Sequence, residues 1–197
     1  MARKATPADV RIICGLGNPG DEYARTRHSI GFATVDALAA THGANYWKSE
    51  AGCQVARVRI AGREVVLAKP QDYMNTSGGP LSKLMRQLKV APNEVLVVHD
   101  EVDLPAGTVR AKFGGGLNAH NGLRSISNKL GTPDFARVRC GIGRPPGKMS
   151  VADYALRQLK GKYLEEFELL AMDAARVCEA CVKDGVSRVV EKTPNAR

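Results

Sequence analysis

The sequence predicts an α/β domain in three layers, a mixed, twisted β-sheet with helices on both faces. Three observations carry that prediction. The chain has 197 residues, 44% hydrophobic and 25% charged, enough to bury a core without staples and too apolar for wholesale disorder. Apolar runs of strand length alternate with stretches of helical spacing, the pattern of a sheet wrapped by helices. One pair of runs is joined by a two-residue turn, which adds an antiparallel pair to the sheet.

Each element follows in order. VRIIC at 10–14 is a buried strand, GLGNPG at 15–20 a loop, and the polar stretch 21–29 continues it. Phe32, Val35, Leu38 and Ala39 share one face of a helix over 32–42, which Gly43 ends. Runs 55–60 and 63–69 flank Ala61-Gly62 as a hairpin, and 70–75 is loop. Leu81, Leu84, Met85 and Leu88 mark a helix that stops before Pro92. The unbroken apolar run 95–98 is a strand covered on both faces. Gly114–Gly116 is a bend, 122–130 a short helix and 136–142 an alternating strand. Helical spacing resumes at Val151, with a longer helix over 162–183. One domain spans 1–190, and 191–197 form a loose tail.

The charge is uneven. Lys plus Arg number 29 against 20 Asp plus Glu, a net +9. Between Leu104 and Ala152 stand Arg110, Lys112, Arg124, Lys129, Arg137, Arg139, Arg144 and Lys148, opposed only by Asp134. This is either a solvated face or a phosphate track for nucleic acid. Ten aromatic residues are too few for a long base-stacking platform. No apolar run approaches the ~20 residues of a membrane span, and the first residues lack a secretory apolar stretch. An odd set of five cysteines fits a reducing cytoplasm. Cys178 and Cys181 form a C-x-x-C pair in a helical stretch with no second ligand pair, which reads as two helix-face residues rather than a zinc or redox site.

Gly15-Leu16-Gly17-Asn18-Pro19-Gly20 matches the dinucleotide fingerprint G-x-G-x-x-G. That fingerprint needs a helix opening within the glycine loop. Here Pro19-Gly20 is a turn and the next convincing helix waits until Phe32, so a dinucleotide-dependent oxidoreductase is disfavoured.

Several polar residues fall where strands end, the usual ligand crevice of an open α/β sheet. Asn18 follows the first strand, Asn75 the hairpin, and His99 and Asp100 close the strand from Val95. Strand alternation sends His99 and Asp100 to opposite faces, so one of them points into a given crevice. His28 lies in the first loop, and His120 and Asn121 open a helix after the glycine bend. His28 is a candidate general base, with Asp100 its best partner for fixing the tautomer. The three Asn amides can stabilise an oxyanion or measure a substrate amide. The set fits hydrolysis by an activated water. A serine such as Ser29 and a cysteine such as Cys14 stay open as nucleophiles, although no G-x-S-x-G elbow is present.

In chain order, GLGNPG (15–20), Tyr23 with TRH (26–28), YMN (73–75), HDEVDLPAG (99–107), GGG…HNGLRS (114–125) and RVRCGIGRP (137–145) resemble the bacterial-type peptidyl-tRNA hydrolases. The resemblance runs from about Arg11 to Leu156. It implies a monomeric cytoplasmic α/β enzyme with no cofactor, no metal and no obligate protein partner. Such an enzyme cleaves the ester between a peptide, or another N-blocked aminoacyl group, and the 3′ ribose of tRNA, recycling tRNA from abandoned translation. By the same resemblance His28 is the base, Asp100 keeps it basic, and Asn18 separates blocked from free aminoacyl groups. Tyr23, Tyr73, Met74, Asn75, His120 and Asn121 are substrate contacts, and Lys112 and Arg139 hold the tRNA 5′-phosphate. Ser29 stands where these enzymes commonly have Asn, and Asn118-Ala119 where they have two glycines. A non-catalytic RNA-binding protein on the same fold is the alternative.

Overall fold

The computed structural model describes residues 5–192. Its sheet has seven strands: β1 (Ile12–Gly15), β2 (Lys48–Glu50), β3 (Cys53–Ile60), β4 (Arg63–Pro70), β5 (Val95–Glu101), β6 (Val109–Phe113) and β7 (Ala136–Gly141). The helices are α1 (Asp21–Ala24), α2 (Ile30–Thr41), α3 (Gly78–Leu88), α4 (Asn121–Leu130), α5 (Val151–Leu156), α6 (Lys162–Asp184) and α7 (Val186–Lys192). The spatial strand order is β2-β3-β4-β1-β5-β7-β6. Strands β4, β1, β5 and β7 run parallel, whereas β2, β3 and β6 pair antiparallel with their neighbours. The sheet is mixed, as expected.

Alternation within the buried strands builds the three layers. Ile13, Leu96 and Val98 join α2, α6 and α7 in one core, through Val35, Leu38, Leu170, Cys178 and Val189. Ile12, Cys14, Val95 and Val97 join α3 and α4 in the other, through Leu81, Leu84, Leu123 and Ile126. Each such side chain, fully buried, contributes about 1.5–3 kcal/mol. Strand β1 leads through α2 to the β4 side, and β4 returns through α3 to β5 on the other side. The crevice opens at this switch, outside the carboxyl ends of β1, β4 and β5.

Glycines set the approach of α2 to the sheet. A Cβ on Gly31 would lie 2.2 Å from the Leu16 nitrogen, and one on Gly15 would lie 2.1 Å from the Gly31 carbonyl oxygen. Only two hydrogens at these positions let α2 start against the end of β1.

The structure differs from the sequence reading in several places. The stretch 21–29 is not all loop: α1 gives one helical turn and Arg27–Ser29 a 3-10 turn. Strand β5 carries His99 and Asp100 at its end, as expected, and runs one residue further, to Glu101, buried throughout. Strands β2 and β6 and helix α7 have no counterpart among the elements the sequence predicts. The expected tail at 191–197 begins inside α7; positions 193–197 lie outside the described residues.

Candidate active site

His28 stands in the 3-10 turn between α1 and α2, beside the end of β5. Its Nδ1 lies 3.0 Å from both carboxylate oxygens of Asp100. Asp100 is buried and the His28 side chain is 17% exposed. A carboxylate cannot donate, so Nδ1 carries the proton and Nε2 keeps its lone pair. Burial pulls the His28 pKa down, but the charge and hydrogen bond of Asp100 outweigh it, and the group sits above its ordinary 6.5. Burial alone would raise the Asp100 pKa; His28 and His120 together hold it well below the usual carboxylate range.

His120 reaches the same carboxylate, Nε2 to Oδ1, at 2.9 Å. It also caps α4: Nδ1 accepts from the N–H groups of Gly122 and Leu123 at 3.1 and 3.3 Å. Both ring nitrogens are therefore used internally. His120, expected as a substrate contact, lines the cleft with both ring nitrogens already hydrogen-bonded within the protein. His99 stays out of the cleft, edge-on to His120 at 5.1 Å between ring centroids. Its Nδ1–H donates to the Asp100 carbonyl at 2.8 Å. Burial and the neighbouring His120 push its pKa to about 3, so it is neutral. Alternation did separate His99 from Asp100, as the strand pattern required.

These groups open into a cleft of about 820 Å³. Asn18, Tyr73, Met74, Asn75 and Asn121 line it with His28, Asp100 and His120. The Met74 N–H donates to Oδ1 of Asn18 at 2.7 Å. That leaves the Asn18 amide NH₂ as the group it can offer a ligand. Tyr23 does not line the cleft; it packs edge-on against Tyr73 at 6.4 Å. The far wall, unread in the sequence, is the apolar face of α5, with Val151, Ala155 and Leu156. The end of α5 is strapped to the His28 loop, because the Leu159 N–H donates to the Arg25 carbonyl at 2.8 Å. Arg27 stacks on the Tyr154 ring at 4.0 Å.

Lys112 and Arg139 lie away from the cleft wall, on β6 and β7. Burial first, then the neighbouring Arg139 and Arg137, lowers the Lys112 pKa. Arg137, in the same cluster, has a structural role. Its guanidinium donates to the carbonyls of Gly116, Gly115 and Pro133 at 2.6, 3.2 and 2.9 Å, holding the glycine bend.

His28, Asp100 and His120 offer three donor atoms within 4.8 Å of one another. The two N–H···O bonds to Asp100 account for that closeness, with each imidazole turned onto the carboxylate.

The sequence model of the family described as Peptidyl-tRNA hydrolase matches residues 12–197. The chain belongs to the peptidyl-tRNA hydrolase family. A peptidyl-tRNA hydrolase from Frankia alni is 49% identical over 89% of both chains. One from Pseudarthrobacter chlorophenolicus is 46% identical over 93% of this chain and 95% of its own. A crystal structure of peptidyl-tRNA hydrolase from Acinetobacter baumannii superposes with a TM-score of 0.85 at 34% identity over 96% of each chain.

Within this family member the glycine loop has a packing role. A Cβ on Gly17 would meet the Phe32 ring at 2.7 Å. The helical turn α1 does open directly after Gly20, but it carries Asp21 and Glu22 in its first turn, which repel a phosphate. Cys14 is buried with its pKa pushed well up by that burial, which removes it as a nucleophile. Ser29 is buried with its hydroxyl unpartnered by any base. Cys178 and Cys181 are core residues; burial raises Cys181 to about 12. Asn118 and Ala119 adopt the left-handed φ values of +48° and +57° that glycine would take freely. Asn118 is held there by Glu101, whose Oε2 accepts from Nδ2 at 2.7 Å. No described helix is long and apolar enough to cross a membrane.

Proposed function

We propose that this cleft hydrolyses the ester between a peptide, or another N-blocked aminoacyl group, and the 3′ ribose of tRNA, using water activated by His28. Nε2 of His28 takes a proton from water as it attacks the ester carbonyl. Asp100 stabilises the imidazolium that forms. The imidazolium then protonates the departing 3′ oxygen. The Asn18 NH₂, aimed by the Met74 bond, donates to the developing oxyanion or to the amide carbonyl of the blocking group. A free aminoacyl group has no such carbonyl, and this is the basis of selectivity. Asn75, Asn121, Tyr73 and Met74 hold the peptide and the terminal nucleotide, with Tyr23 backing Tyr73. Lys112 and Arg139 take the 5′-phosphate. The unit is a monomer made of one domain, residues 1–190. Five free buried cysteines suit the cytoplasm.

The observation that carries this reading is the His28–Asp100 pair at 3.0 Å inside the cleft. It also weighs against a purely RNA-binding role, which needs no base. The test is incubation with N-acetyl-aminoacyl-tRNA and with free aminoacyl-tRNA. Release from the blocked substrate alone is expected. Tight RNA binding without release would overturn the reading.

A further inference from the structure

Asp100 serves two imidazoles, and the second has no place in the reaction as written. We infer that His120 is a positioning residue for the catalytic carboxylate, a helix cap whose Nε2–H holds Asp100 in register with His28. The inference rests on the general-base reading of His28 above.

Nδ1 of His120 accepts from two backbone N–H groups, so it cannot carry the ring proton. The proton is on Nε2, and it donates to Oδ1 of Asp100 at 2.9 Å. The ring has little freedom to leave. Its side chain is 7% exposed. His99 stands edge-on to one side, and a Cβ on Gly122 would lie 3.1 Å from its Cε1. Upstream, the left-handed Asn118-Ala119 pair is pinned by the Asn118–Glu101 bond. A rigid donor on Oδ1 stops the carboxylate from rotating, which keeps both oxygens at 3.0 Å from Nδ1 of His28.

The same bond tunes the base. A hydrogen bond donated to Asp100 spreads its charge and weakens its pull on His28. The titratable groups around this pair are His28 from the 3-10 turn, His99 and Glu101 on β5, and Cys140 opposite Asp100 on β7. Arg137 lies beyond His99, and the Asp103–Arg144 ion pair lies at the cleft. Of these, His28 alone shares the Asp100 carboxylate with His120 by a hydrogen bond.

His120→Asn tests the inference. Its carbonyl can still cap α4, while its shorter amide stops short of Asp100. Two readouts apply: NMR titration of the ring nitrogens in the free enzyme, and turnover of N-acetyl-aminoacyl-tRNA. The titration midpoint of His28 is expected to rise by about half a unit. The kcat is expected to fall about tenfold while KM stays within about twofold. In the wild type, the His120 ring proton is expected on Nε2 and not on Nδ1, a measurement that needs no variant. An unmoved His28 midpoint with wild-type kcat, a loss confined to KM, or an Nδ1–H tautomer at His120 would overturn the inference. Turnover by His28→Ala would instead overturn the general-base reading, and the NMR result separates the two failures.

Discussion

The Met74 N–H donates to Oδ1 of Asn18 at 2.7 Å, and this one bond decides which end of the Asn18 amide meets a substrate. The acceptor end is occupied, so the NH₂ is the end Asn18 can offer a substrate. Asn18→Asp keeps the bond to Met74 but replaces the NH₂ with a second carboxylate oxygen. Turnover of N-acetyl-aminoacyl-tRNA should fall by about 10²–10³ in kcat, the usual loss for an oxyanion donor, with the melting temperature little changed. Wild-type kcat in this variant would remove Asn18 from the oxyanion.

A general base at His28 needs Nε2 unprotonated, so on the proposed mechanism kcat/KM should fall as pH drops through its raised pKa. Asp100→Asn removes the charge that raises that pKa and leaves burial to lower it. The acid limb should therefore move to lower pH, while kcat drops by about 10² or more because the imidazolium loses its partner. A pH–rate profile of the two proteins checks both signs together. An acid limb that stays fixed or moves up would contradict the assignment.

Gly31→Ala places a methyl group 2.2 Å from the Leu16 nitrogen and 2.4 Å from the Val98 carbonyl oxygen. Neither is the end of a flexible side chain, so α2 must move. We expect destabilisation of about 3 kcal/mol or more in chemical unfolding. Turnover should fall further than folded fraction explains, because α2 begins two residues after His28. Wild-type stability would show that α2 does not rest on this contact.

Much of the fold was legible because burial leaves a plain trace. The 95–98 run, the Ala61-Gly62 hairpin and the long C-terminal helix all stand in the structure, shifted by a few residues. The misses share a cause. VRAKF of β6 alternates apolar and cationic residues over only five positions, and it is a strand because β7 pairs with it. Lys48–Glu50 of β2 has no apolar signal at all and depends on β3. In the site, His28, Asp100 and Asn18 were readable from their places near strand ends. His120 was readable as a polar residue at a helix start, but its cap and carboxylate bonds were not, because they are fixed by geometry that spacing does not encode. The α5 wall looked like an ordinary helix, since its apolar residues face a cleft rather than the core.

Asn118→Ala removes the side chain that satisfies Oε2 of buried Glu101 and leaves alanine at φ +48°. The lost bond and the strained backbone act together, for an expected loss of about 1–3 kcal/mol in thermal or urea unfolding. Asn118→Gly relieves the backbone but not Glu101 and should recover part of it. Equal stability of all three proteins would show that the Glu101 bond does not hold this turn.

Lys112→Ala should raise KM severalfold with kcat unchanged, because Lys112 lies off the cleft wall. The slope of log affinity against log salt should become shallower by about 0.7–0.9, the share of one phosphate contact. An unchanged slope would take Lys112 out of tRNA binding.

Single-turnover hydrolysis of N-acetyl-aminoacyl-tRNA by wild type and His28→Ala is the sharpest test of His28 as the base acting on the tRNA ester. With tRNA binding measured on the same samples, His28→Ala should bind tRNA as the wild type does and release no N-acetyl amino acid. Release by His28→Ala at the wild-type rate would contradict it.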